Sequence, residues 1–342
     1  MAKALGKILA EAGWLTGGYF VAPKYVSLLI TWRCNFRCAS CSIWQKTDYA
    51  DLADEDWLAI ASDLKQSLPP DTLIEINGGE ALLLKPKVLK LIKSLAEYFE
   101  EVNLTTNGSL ITPEVIKDLS EAGLRTIKVS LYSLEPDTHD ALRGFAGAQA
   151  RALAAIKLAA ESNLKVEVGV LLTGKNISQL PALLTYLKTL SGVSAILQPL
   201  DESVESSASK NLSANSLPAE LWPEPAAVKT FFAWLGEQAD LLKNSPANLA
   251  AIEKYYLQPE SVLVYRCFAS QKNLIIYPDG QAAFCFKTGA IGNLREKKLA
   301  DILRGAGAKQ TRRAIKTCSK YCRIVGCNFN RGFKEWFKDK FK

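Results

Sequence analysis

Apolar, β-branched runs alternate with amphipathic stretches over the first 200 residues of this chain. The runs are YVSLLIT (25–31), TLIEIN (72–77), EVNLTT (101–106), TIKVSLY (126–132), KVEVGVLL (165–172) and VSAILQPL (193–200). Between them lie segments with apolar residues at helical spacing, among them DEDWLAIASDLKQSL, KPKVLKLIKSLAEYF, TPEVIKDLSEAG and ISQLPALLTYLKTL. Short β-branched runs read as strands and apolar residues recurring every three or four positions as helices, so the pattern predicts six strand–helix units. Each helix is long enough to carry the chain back across a sheet. The strands are therefore expected to be parallel, covered by helices and joined by right-handed crossovers. One unit carries its own punctuation, with Thr112 at the N-cap, Pro113 at the first helical position and Gly123 at the stop. Six units fall short of the eight of a closed barrel. The expected fold is α/β, an open, partial (β/α)6 barrel of the TIM type, with its chemistry at the carboxyl ends of the strands.

The pattern changes after position 200. Residues 201–225, DESVESSASKNLSANSLPAELWPEP, are rich in Ser, Pro and Asn and read as a linker or mobile loop. Two helical patterns follow, AAVKTFFAWLGEQADLLK and PANLAAIEKYYLQP. A second unit begins near 259, where NLIIYPDGQAAFCF predicts a hairpin turning at Asp279-Gly280. The expected organisation is an amphipathic segment (1–24), the partial barrel (25–200), a linker with bridging helices (201–258) and a small second domain (259–342). In the first segment, Leu5, Ile8, Leu9 and Trp14 fall roughly on one helical face with Lys3 and Lys7 elsewhere. The segment is too short and too interrupted to cross a bilayer. Packing beneath the main domain is the expected use of its apolar face, and association with a membrane surface is the alternative.

With 342 residues, 48% of them hydrophobic, the chain can build one large core and a smaller appended domain. The net charge of +7 is unevenly placed. From Arg304 to Lys342 there are 12 Lys and Arg against 2 acidic residues, so the tail carries +10 and the preceding body −3. Such a tail can meet an acidic partner, an anionic headgroup or an acidic electron donor, although a solvated face is the commoner use of a charge run. No nucleic-acid-binding motif accompanies it, so nucleic acid is not an expected partner. The 8 cysteines fall in two groups, Cys34, Cys38 and Cys41 near the start and Cys267, Cys285, Cys318, Cys322 and Cys327 near the end. The chain far exceeds the small secreted scaffolds that depend on disulfides and shows no cleavable signal peptide. The thiols are expected to be reduced and the location cytoplasmic.

The first group sits in TWRCNFRCASCSIW, on the loop leaving the first strand. A closed zinc site or a ferredoxin-type cluster draws four protein ligands, so three leave one coordination position open. A loop this tight can wrap three corners of a 4Fe–4S cube. CNFRCASC has the Cys-x3-Cys-x2-Cys pattern, and through it the chain resembles the radical S-adenosylmethionine (radical SAM) superfamily. The resemblance implies that the amino and carboxylate groups of S-adenosyl-L-methionine (SAM) occupy the open iron and that one-electron reduction breaks the S–C5′ bond. The resulting 5′-deoxyadenosyl radical then takes a hydrogen atom from substrate, with a flavodoxin- or ferredoxin-type protein as reductant.

Further motifs fit in the expected order. Gly78-Gly79-Glu80 closes the second strand like the family's GGE turn, with glycines that admit a close backbone approach and an anion suited to SAM's ammonium. Thr106 and Asn107 end the third strand, where they can bond the ribose or methionine end of SAM or simply form a helix-entry turn. Ser130 ends the fourth strand like a ribose-contacting serine of the family, and Arg143 matches an arginine that in related enzymes meets SAM's carboxylate. There are departures. Ser40 stands where an aromatic residue often precedes the third cysteine, leaving Ile43 or Trp44 to lie against adenine. Tyr132 replaces the acid of a Ser-Leu-Asp pattern and reads as a rim or packing residue, with a substrate hydrogen bond or radical relay as alternatives. His139, the 1 histidine, is expected in surface structure.

The second cysteine group, with Gly280, Gly292 and GNLREKKLADILRG, resembles a shortened SPASM domain of the twitch form. That resemblance implies an auxiliary 4Fe–4S cluster held by Cys267 and Cys285 with two of Cys318, Cys322 and Cys327. A zinc site is the structural alternative. The resemblance implies a radical SAM enzyme that abstracts hydrogen from carbon, with a peptide the leading substrate and a crosslink, oxidation, epimerisation or excision the outcome. A small alcohol, sugar or lipid is the second substrate class, and a non-catalytic iron–sulfur electron carrier the remote alternative. Only 33 residues precede Cys34, so peptide recognition is expected to need a separate protein or the basic tail.

Overall fold

A computed structural model describes residues 2–46, 51–200, 219–238, 242–325 and 329. The elements, in chain order, are α1 (Ala2–Thr16), β1 (Tyr25–Leu29), α2 (Asp54–Ser67), β2 (Leu73–Asn77), α3 (Lys85–Ala96), β3 (Glu101–Thr106) and α4 (Pro113–Glu121). They continue with β4 (Thr126–Ser130), α5 (Pro136–Arg143), α6 (Ala148–Ala160), β5 (Lys165–Leu172), α7 (Leu180–Lys188) and β6 (Val193–Pro199). After these come α8 (Pro225–Gly236), α9 (Pro246–Leu257), α10 (Ala269–Lys272), β7 (Asn273–Ile276), β8 (Gln281–Ala283), β9 (Gly292–Asn293), α11 (Leu299–Arg304) and α12 (Ala306–Ile315). All six expected strands form, and they run parallel in sequence order from β1 to β6. The Thr112 hydroxyl accepts from Val115 N, capping α4 as the sequence indicates.

The pleat sorts the strand residues onto two faces. Val26, Leu28, Ile74, Ile76, Val102, Leu104, Ile127, Val129, Val166 and Val168 are almost wholly buried against the helices. The alternate positions are polar: Ser27 pairs across to Glu75, Glu75 to Asn103, and Thr105 through Lys128 to Glu167. A closed barrel fills its interior with branched apolar side chains. Here an ion-pair chain crosses the helix-free face instead, Lys128 Nζ lying 3.3 Å from Glu75 Oε1 and 3.0 Å from Glu167 Oε1. Lys243 extends it at 2.6 Å from Glu167 Oε2. The Tyr25 and Thr105 hydroxyls donate to Glu75.

The C-terminal unit does not stand apart from the barrel sheet. β7 pairs parallel with β1, and β8 and β9 follow antiparallel, so the sheet has nine strands in the order β6-β5-β4-β3-β2-β1-β7-β8-β9. Its two ends are not paired with each other, and the sheet is open. The predicted hairpin turns at Gly280, which has φ +84°. Buried Asp63 on α2 accepts from Leu299 N at the start of α11 at 2.7 Å, tying the unit to the barrel's helical layer. α9 braces the far edge, where Tyr256 OH donates to Leu172 O and accepts from Leu200 N.

α1 packs differently from expectation. Ala10 and Gly13 face the protein, while Leu5 and Ile8 point outward, 57% and 47% exposed. Small residues allow the closest approach, and of the large apolar residues on the expected face Trp14 joins them, packed against Phe268 and Arg266. Most of the expected linker (201–218), the lower part of the basic tail (330–342) and Cys327 lie outside the described residues. Among the described residues no helix is long and apolar enough to cross a membrane.

Candidate active site

The loop from Thr31 to Trp44 leaves the carboxyl end of β1, and glycines at the end of β2 support it. Gly78 has φ +148°, and a Cβ there would lie 2.5 Å from Thr31 O. A Cβ on Gly79 would lie 2.2 Å from Arg33 O. Gly79 N and Glu80 N donate to Thr31 O and Arg33 O at 2.9 and 2.8 Å. The Gly-Gly pair is therefore required by the root of the cysteine loop as well as by any ligand. On the other side Arg37 N and Ala39 N donate to Arg143 O and Leu142 O at the end of α5.

So held, the loop lines a cavity of ≈ 150 Å³ with Cys34, Cys38 and Cys41. Gly78, Gly79, Thr106, Asn107, Ser130 and Arg143 complete much of the wall, so nine of the ten residues expected at this centre converge there. Ser40, Ile43, Trp44 and Tyr132 line it too. The thiols back onto an apolar shell of Phe36, Phe145 and Ala148, with the two phenylalanine rings stacked at 4.4 Å. Burial pushes the Cys41 thiol up to about 12, and burial likewise raises Cys34. Ligand binding must therefore take protons from these thiols.

Glu80 is the tenth residue, and it does not line the cavity. Its Oε1 accepts from Leu82 N at 3.1 Å and Thr106 Oγ1 at 2.9 Å, and its Oε2 from Asn107 N at 2.8 Å. It caps the turn after β2 and pins the end of β3 to it. Burial raises its pKa against the pull of these donors. Glu80→Gln would place an amide NH2 against one of these donors and leave a buried N–H unmet. The expected cost is about 1–3 kcal/mol, read as a lowered melting temperature. An unchanged melting temperature would refute this bracing role.

Arg143 is the cation of the cavity. Its Nη1 donates to Tyr132 OH at 2.7 Å, its guanidinium lies over the Phe36 and Tyr132 rings, and its Nε is buried with no partner among the described residues. A buried guanidinium with an unmet N–H and open space beside it suits a carboxylate. His139 is not at the surface as expected. It is fully buried beneath Tyr132, its Nδ1 accepts from Tyr132 N at 3.0 Å, and burial followed by the Arg143 charge brings it down to about 3. A neutral acceptor there fixes the backbone that carries Tyr132.

One contribution escapes the sequence patterns, and another gives the expected Trp44 its anchor. Asn35, inside the cysteine motif, accepts from Asn107 Nδ2 at 2.8 Å and donates to Ser109 Oγ at 2.9 Å, joining the loop to the end of β3. Trp44 Nε1 donates to Cys38 O at 3.2 Å, which holds its ring beside the thiols. A second cavity, ≈ 440 Å³, is lined by Cys267, Cys285, Cys318 and Cys322, with Thr288 Oγ1 3.7 Å from Cys285 Sγ.

The donor chemistry of both cavities fits iron–sulfur clusters, with three thiols and an open side in one and, among the described residues, four thiols in the other. Among the described residues, no three Cys, His, Asp or Glu side chains are gathered as for a single metal ion. Comparison with known proteins agrees. A sequence model of the Radical SAM superfamily matches residues 28–187, and one of an iron-sulfur cluster-binding domain, SPASM, matches residues 267–328. An AdoMet-dependent heme synthase of Methanosarcina barkeri is 25% identical over 50% of this chain and 49% of its own. PqqA peptide cyclase of Bradyrhizobium diazoefficiens is 29% identical over 48% of this chain and 43% of its own. The chain thus spans about half the length of the curated relatives it matches. Streptococcus suis SuiB, in a crystal structure with precursor peptide SuiA, shares the fold with a TM-score of 0.69 at 16% identity, over 93% of this chain and 73% of SuiB.

Proposed function

Because the chain belongs to the radical SAM superfamily and carries an iron–sulfur cluster-binding domain, we propose that it uses SAM to open a C–H bond of a peptide. A crosslink, oxidation, epimerisation or excision would result. The observation that carries the chemistry is a cavity ringed by three thiols with a buried, under-satisfied Arg143 beside them. Cys34, Cys38 and Cys41 would hold the SAM-binding 4Fe–4S cluster, and Cys267 and Cys285 with two of Cys318, Cys322 and Cys327 the auxiliary one. When bound, the first cluster supplies the electron that splits SAM into methionine and a 5′-deoxyadenosyl radical.

The protein's own residues bind, orient and exclude water. Arg143 receives the SAM carboxylate on its free N–H, and the Gly78-Gly79 backbone passes beside the ligand. Ser130 and Asn107 offer a hydroxyl and an amide to the ribose, and Ile43 and Trp44 an apolar wall to adenine. Phe36, Phe145 and Ala148 keep water from the thiols. A flavodoxin- or ferredoxin-type donor supplies electrons.

The peptide reading is supported by PqqA peptide cyclase among the relatives. The heme synthase relative favours a small molecule as the second reading. Anaerobic reconstitution with iron, sulfide and SAM, followed by reduction, tests both. Candidate peptides deuterated at carbon should pass deuterium into 5′-deoxyadenosine. Transfer from a small alcohol or sugar alone would overturn the substrate assignment, and intact SAM in reduced protein would overturn the reaction class.

A further inference from the structure

The outer face of α1 is apolar although its inner face is fully engaged. Leu5, Ile8 and Leu15 are 57%, 47% and 58% exposed, and Phe20, just past the helix, is 50% exposed. The helix cannot roll to bury them. A Cβ on Gly13 would lie 2.2 Å from Gln271 Oε1, Glu11 pairs with Arg266 at 2.8 Å, and Trp14 sits between Arg266 and Phe268. At its C-terminal end Lys316 donates to Leu15 O, and Arg313 packs against Gly17.

Cations flank the stripe on both sides. α12, packed against α1, presents exposed Lys309 and Arg313. On the other flank a groove of ≈ 500 Å³ runs beneath Gly6, Lys7 and Ala10, walled by Val21, Ala22 and Pro69, with Lys272 at its edge. Asp71, the carboxylate lining it, is held by Lys24 at 2.6 Å. Burial and then the nearby Lys7 charge bring Lys272 down to about 8. Apolar side chains bordered by exposed Lys309 and Arg313 on one flank and by Lys7 and Lys272 on the other match the surface of an anionic bilayer, with acyl chains beneath a negative headgroup layer.

We propose that the outer face of α1, with the lysine-edged groove along its flank, docks the protein on anionic membranes. Lys24, Asp71 and Lys272 lie just before β1, β2 and β7, so the docking face is at the amino ends of the strands. The cysteine cavity is at their carboxyl ends, and its mouth would face away from the lipid. Membrane docking and substrate entry are therefore compatible.

Co-sedimentation of the full chain with vesicles tests this without SAM or metal, so its outcome is independent of the proposed reaction. One set is pure phosphatidylcholine, and in the other about a third of the lipid is phosphatidylglycerol. Binding is expected to the second set alone. Leu5→Ser with Ile8→Ser and Leu15→Ser should weaken it at least about tenfold, and Lys7→Gln with Lys272→Gln should weaken it further. Circular dichroism should stay as in the wild type. No binding, equal binding to neutral vesicles, or unchanged binding by the triple serine variant would overturn the proposal. So would a lipid-free dimer that the serine variant breaks, since the stripe would then be covered by a second copy.

Discussion

Replacing Cys34, Cys38 or Cys41 with alanine is expected to abolish reductive SAM cleavage while leaving the protein folded. Each thiol serves the one cavity, and among the described residues no other cysteine lines it. The loop keeps its shape through contacts that do not use sulfur: the Phe36–Phe145 stack, the Asn35–Asn107 bond and the close approach of Gly79 to Arg33. At Cys34 and Cys41 burial raises the thiol pKa, so in the metal-free chain alanine removes no charge there. The reconstituted variant should hold roughly half of the wild-type iron, since the four thiols of the second cavity are untouched. Cys267→Ala with Cys285→Ala should give the complement, losing the other iron and keeping SAM cleavage uncoupled from substrate. Full iron in either variant, or cleavage retained by the first, would show that the thiols are misassigned.

The strands were legible because their outward residues are β-branched or leucine and nearly every one is buried. The site was legible because its residues end successive strands, which parallel topology brings to one rim. What was not legible depends on which neighbour a side chain meets. α1 offered Leu5 and Ile8 as its apparent buried face, yet Ala10 and Gly13, joined by Trp14, make the contact, because close packing selects small side chains at the nearest approach. Glu80 stood out as a free anion, but three donors from the turn after β2 and the end of β3 take up its oxygens. The continuation of the sheet from β1 into β7 links positions 25 and 273, a pairing that no local pattern encodes. The ion-pair chain did leave a signal. Glu75, Lys128 and Glu167 each interrupt the middle of an apolar run, and a charge in mid-strand on a parallel sheet demands a partner on the next.

Lys128→Met is the substitution expected to cost most stability. Lys128 stands between two buried carboxylates, and methionine fits its stem but leaves both without their shared cation. Lys243, half exposed, still reaches Glu167, but only Tyr25 and Thr105 hydroxyls remain for Glu75. Removing one partner of a buried pair costs about 3–5 kcal/mol, which a urea titration of the metal-free chain would read. The pH dependence gives the cause a separate test. In the wild type, burial works to raise the pKa of Glu75, but Lys128 and the two hydroxyls outweigh it and hold it below the ordinary value of 4.5. Its contribution is present above the unfolded-state pKa and is lost as pH falls through the lower folded value. Burial works to lower the pKa of Lys128, and the two carboxylates outweigh it, so its share persists until pH rises beyond the ordinary lysine value. In the methionine variant burial acts on Glu75 unopposed by that charge. Its folded-state pKa then moves above the unfolded one, and the sign reverses, so the variant gains stability relative to wild type as pH falls from 7 toward 5. Glu75→Gln added to Lys128→Met should recover much of the loss at neutral pH. A variant that loses stability equally at both pH values would show that packing, and not the stranded charge, sets the cost.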